Sequence, residues 1–128
     1  MCYPNKYKII STDSKDSIEA IYSSGPCKIG IDACIERIPA ADHYLITIDA
    51  DAFDTAIAPG VLFPSPGGLT FDEITYLVGG IARKGSIVGI NLFEIRPELD
   101  INSLTASTGA QLIINFIGTL AHSGQIGK

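Results

Sequence analysis

At 128 residues with 46% hydrophobic side chains, the chain is long enough for one compact core and too short for two domains of ordinary size. Nine basic against 14 acidic residues give a formal charge of −5 with no basic block, which argues against nucleic acid and for a small molecule or a protein as partner. Cys2, Cys27 and Cys34 lack Cys-x-x-Cys spacing, and there is neither a run of about 18 apolar residues nor a basic-then-apolar leader; reduced thiols, a cytoplasmic location and no membrane are expected.

In chain order, residues 1–10 alternate apolar and polar positions around Pro4 and suit an edge strand or an extended lead-in. Ser11, Thr12 and Asp13 form a helix-capping cluster ahead of Ile18, Ile21 and Tyr22 at helical spacing, so a short helix is predicted over 14–23, stopped by Gly25-Pro26. A strand near 28–31 and a brief helical turn ending before Pro39 follow. Residues 44–48 are apolar with no polar side, the pattern of a parallel strand covered on both faces. After an irregular loop rich in Pro and Gly, Thr70 and Glu73 make a capping box for a helix over 71–83 with an Ile74, Leu77, Val78, Ile81 stripe. A second buried strand over 86–95 implies a right-handed parallel crossover. A last helix over 103–121 completes the order, with a frayed tail from His122. The expected fold class is therefore α/β, either one domain over 1–128 or the C-terminal portion of a larger α/β domain.

The chemistry gathers where the strand at 44–48 ends. Asp49 and Asp51, two apart, should project side by side, with Asp54 three residues on. Paired carboxylates at a strand end suit a hard cation such as Mg²⁺ or Mn²⁺, which takes oxygen ligands. In parallel sheets ligands bind outside the carboxyl ends of the strands, so Glu94, at the end of the second strand, should share this rim. The plainer readings are turn capping by the aspartates and an ion pair between Glu94 and Arg96. His43, six residues before Asp49, stands about 20 Å away on an extended segment and cannot share the site. His122 fits a solvated helix end. No Gly-x-Ser-x-Gly elbow, phosphate loop or dinucleotide fingerprint is present.

The run Thr47-Ile-Asp49-Ala-Asp51-Ala-Phe-Asp54, then Ala58-Pro59-Gly60, then Pro66-Gly67-Gly68-Leu69-Thr70, resembles the last metal-binding signature of the ureohydrolases, the arginase, agmatinase and formimidoylglutamase family. The segment from Gly89 through Glu94 to Pro97 resembles the family's strand ending in Glu-Val-Asn-Pro. The resemblance covers 44 to about 120. It implies an arginase-like three-layer fold, incomplete here, with a parallel sheet between helices, and a two-manganese centre that activates water for attack on a guanidinium or formimidoyl carbon. Asp49 and Asp51 would be metal ligands. Glu94 would be catalytic, pairing with the substrate's cationic nitrogen. Asp54 would fix the loop behind the ligands.

Two departures bear on this. Thr55 stands where the family has Pro, and Leu62-Phe63-Pro64 where the arginase and agmatinase loop has Gly-Thr-Pro, which leans toward formimidoylglutamase-like members. Arg96 beside the site would favour an acidic substrate over agmatine. The family's Gly-Gly-Asp-His and Asp-Ala-His-x-Asp motifs, source of the remaining ligands, are absent, so the resemblance implies the C-terminal part of such an enzyme, inactive alone, completed by a further N-terminal portion or working in an oligomer. A non-catalytic pseudo-enzyme or assembly subunit on the same fold is the alternative. A receiver-like domain would need an acidic pair ending its first strand and a late Lys-Pro. A haloacid-dehalogenase-like phosphatase would need Thr or Val where Phe53 stands.

Overall fold

The computed structural model describes residues 11–12 and 30–127. The expectations for 1–10, for the helix at 14–23 and for the first part of the strand at 28–31 lie outside them. Helix α1, Ile31–Arg37, is the brief helical turn expected before Pro39, and it begins at Ile31, where the strand was expected to end. Ile31, Cys34, Ile35 and Ile38 recur at helical spacing, and Asp32 in the first turn and Arg37 in the last both complement the helix dipole. Ser11–Thr12, expected as a cap, instead forms a short strand β1, antiparallel to the strand at His43–Asp49.

Strand β2, His43–Asp49, pairs in parallel with β3, Ser86–Phe93, and helix α2, Phe71–Ala82, is the crossover between them. The capping box forms as expected. Thr70 Oγ1 accepts the Glu73 N–H, and Glu73 Oε2 accepts the Thr70 N–H at 2.9 Å. Helix α3, Leu104–His122, returns over the core. Tyr44, Ile46 and Ile48 on one face of β2 join Cys34 and Ile38, Ile74, Leu77, Val78 and Ile81 of α2, and Leu112, Phe116 and Leu120 of α3 in a single core. Each fully buried side chain of this size contributes about 1.5–3 kcal/mol relative to an exposed one. By length and composition α3 could cross a membrane, with a mean hydropathy of 1.2; its Leu112, Phe116 and Leu120 stripe packs on this core.

The opposite face of the sheet departs from expectation. Leu45 is 38% and Val88 63% exposed, so among the described residues the strands are packed on one face only. The ladder is irregular here: Tyr44 pairs with Ile87 but Leu45 with Gly89, which leaves Val88 as an extra residue without a partner in the register.

The tail is also not frayed. Gln125 accepts the Ile87 N–H at 2.8 Å and donates to the carbonyls of Ala82 and Gly85, tying the end of α2 to the start of β3.

Candidate metal and substrate site

The strand ladder stops at Asp49, and residues 50–52 turn into a 3₁₀ helix, so Asp51 reaches its place through a turn and not through the two-residue alternation of a strand. The Asp51 N–H donates to Asp49 Oδ1 at 2.9 Å, which draws the two aspartates together. Asp51 is 3% exposed between Ala50 and Ala52, both fully buried, and its Oδ1 takes the Phe63 N–H at 3.4 Å.

Burial raises the pKa of both carboxyls. For Asp49 the Asp51 N–H opposes the rise, while the charges of Asp51 and Glu94 add to it. For Asp51 the Phe63 and Leu62 N–H groups and Arg96 oppose the rise, and Glu94 adds to it. Asp49 pairs with Phe93 in the ladder, so Glu94 follows directly at the end of the neighbouring strand.

Asp54 takes a different part. Its carboxylate accepts the Ala56 N–H at 2.8 Å and the Gly67 N–H at 2.7 Å, tying the two ends of the loop between β2 and α2. The loop is closed further by backbone bonds from Leu69 to Ala52 and from Asp54 to Leu69. Gly68 is needed there, because a Cβ on it would lie 2.5 Å from the Phe53 carbonyl oxygen.

Glu94 follows β3 with φ of +63°, a left-handed conformation that costs a non-glycine residue about 1–2 kcal/mol. Arg96 pairs with Glu94 at 3.9 Å and with Glu98 at 4.0 Å. The Glu94 and Arg96 side chains are both about two-fifths exposed, 41% and 43%. His43 lies at the other end of β2. His122 is the last residue of α3, about 25 Å along the helix axis from its first turn.

Sequence reasoning missed Gly60, Asp100 and Thr105. Asp100 accepts the N–H groups of Thr105 and Ala106 and so caps α3 from outside it. The signal was an Asp shortly before an apolar helix with no other capping carboxylate, following Pro97.

Asp49 and Asp51 offer hard oxygen donors, and Asp49 Oδ2 takes no hydrogen bond from the described residues. This donor set fits one side of a divalent-cation site. Among the described residues no group of three His, Cys, Asp or Glu side chains converges into a complete one.

The arginase family pattern matches residues 15–118. The chain belongs to the arginase family. Among relatives of this arginase-family chain, a guanidinopropionase of Pseudomonas aeruginosa is 30% identical over 109 residues, 83% of this chain and 34% of that protein. A formimidoylglutamase of Bacillus subtilis is 34% identical over 74 residues, 58% of this chain and 23% of that one. The agmatine ureohydrolase of Thermoplasma volcanium superposes with a TM-score of 0.66 at 33% identity, over 76% of this chain and 32% of that structure. The chain thus spans about a third or less of the length of the relatives it matches. The fold is the arginase-like α/β fold, present in part.

Proposed function

We propose that the chain forms the carboxylate-bearing portion of a manganese-dependent hydrolase acting on a linear amidine or guanidine C–N bond. The observation that carries this reading is that the Asp49–Asp51 pair ends β2 beside the end of β3, where Glu94 and Arg96 follow Asp49's ladder partner Phe93. Family membership supports hydrolase chemistry of this class. Manganese bound at such a pair supplies a Lewis acid that lowers the pKa of water.

The chain's own residues prepare that site. Asp49 and Asp51 are held together by a backbone bond before any cation arrives, and a cation would relieve the cost of two buried like charges. Asp54 holds the loop that closes over them. The Glu94 carboxylate, at the open side, can accept hydrogen bonds from the substrate's cationic nitrogen group. Arg96 can exchange its long contact with Glu98 for a substrate carboxylate, which favours an acidic amidine such as a formimidoyl amino acid over a dicationic guanidine. The described residues supply no further ligand, so a further polypeptide portion would complete the site, and the exposed face around Leu45 and Val88 offers room for it.

The 128-residue chain alone, given Mn²⁺ and formimidoylglutamate or agmatine, is expected to release no ammonia or urea; clear turnover would overturn the partial-site reading. A chimera in which this chain replaces the matched portion of the Bacillus subtilis formimidoylglutamase is expected to be active, and Asp51→Ala in it to abolish turnover. An inactive but folded chimera would favour the alternative, a non-catalytic assembly subunit. The lack of a third metal-binding side chain among the described residues keeps that second reading in play.

A further inference from the structure

Thr105, in the first turn of α3, is fully buried. Its Oγ1 accepts the Gly60 N–H at 2.7 Å. Asp100 accepts the Thr105 N–H at 2.9 Å and the Ala106 N–H at 3.0 Å. Gly60 is pressed against it: a Cβ on Gly60 would lie 2.5 Å from Asp100 Cβ.

From Gly60 the connections divide. Its carbonyl accepts the Arg96 N–H at 2.8 Å, two residues from Glu94. Three residues along the loop, the Phe63 N–H reaches Asp51. A 19-residue helix packed on the core therefore anchors, through one hydroxyl, both the loop over the carboxylates and the exit of β3. The loop between Thr55 and Pro64 contains no helix or strand of its own; buried Ala58 and Val61 pack it on the core, and these bonds fix its backbone.

We propose that Thr105 is a positioning residue which, by holding Gly60 against Asp100, sets the carboxylate pair and the Glu94–Arg96 exit in one register so that they shift together. The identity of Asp51 and Glu94 as site residues rests on the proposed function. The coupling itself is a property of the chain without metal or turnover, so its failure is distinguishable from failure of that function.

The test is amide hydrogen exchange and ¹H–¹⁵N spectroscopy on the 128-residue chain, on Thr105→Val and on Thr105→Ser. Valine keeps the shape and removes the hydroxyl, leaving the Gly60 N–H buried without its acceptor. Exchange at Gly60, Phe63 and Arg96 is expected to speed up together by about tenfold or more, with the Phe63 amide proton moving upfield as its bond to Asp51 weakens. The amides of Ile46 and Ile48 in β2 should not change, and serine should restore all three responding sites. A response at Gly60 alone, or serine failing to restore Phe63 and Arg96, overturns the proposal. Should the valine variant not fold, Asp100→Asn carries the same test. Phe63 and Arg96 must respond together in it, and silence at either overturns the coupling.

Discussion

The two sides of the candidate site are built on opposite principles. On the carboxylate side, Asp51 is buried and Asp49, Asp51 and Asp54 all accept backbone N–H groups. On the β3 side, Glu94 and Arg96 are well exposed and paired only at 3.9 Å, and Glu94 sits in a left-handed backbone conformation. Under the proposed function the first side would be held in advance for a cation, and the second would be left open for a substrate that enters and leaves.

The contrast breaks most sharply at Asp54. Asp54→Ala strips acceptors from the Ala56 and Gly67 N–H groups and is expected to lose about 1–3 kcal/mol in urea unfolding. Glu94→Gly should have a smaller effect of the opposite sign, gaining up to about 1 kcal/mol by relieving the left-handed backbone, whereas Glu94→Ala should gain none of it. A gain from the alanine variant would mean that charge, and not backbone strain, governs the position. Smallest of the three, Arg96→Ala should change stability by no more than about 0.5–1 kcal/mol, because exposed ion pairs are screened.

Acidity sharpens the same comparison without a simple magnitude. Burial raises the pKa of Asp49 and Asp51, so the folded chain binds these protons more tightly than the unfolded chain does. Their contribution to stability is therefore present at low pH and is lost as pH rises from the ordinary value of 3.8 through the raised ones. Asp51→Asn should flatten that decline, read as a melting temperature that falls less between about pH 4 and pH 7. At Asp100 desolvation is outweighed by the Ala106 and Thr105 hydrogen bonds, and the pKa is lowered. Its contribution is present above 3.8 and disappears as pH falls through the lowered value, so Asp100→Asn should leave the neutral-to-acid slope shallower from the other direction.

What could be read from the sequence was what is local. The capping box of Thr70 and Glu73 acts across three residues, and the stripe from Ile74 to Ile81 lies on one helix, so periodicity alone locates α2. The aspartate pair was legible because its neighbours in space are its neighbours in sequence, although the 3₁₀ turn that joins them was not. The bond from Gly60 to Thr105 spans 45 residues and no pattern announces it. The open sheet face was illegible for another reason. Leu45 and Val88 are apolar whether or not anything covers them, so composition cannot say that the described residues leave them uncovered. The brief helical turn before Pro39 was legible in the spacing of Ile31, Cys34, Ile35 and Ile38, which starts the helix at Ile31 itself, the residue assigned to the end of a strand for its branched side chain.

Gln125 carries a consequence for how the chain is made. Its side chain completes the junction between α2 and β3 from 38 to 43 residues farther along. During synthesis the crossover can form and the two strands can pair, but that junction cannot close until residue 125 has left the ribosome. Over that interval the Ile87 N–H waits for its acceptor while the Ser86 N–H is already held by the Asp42 carbonyl, so one glutamine closes the junction last.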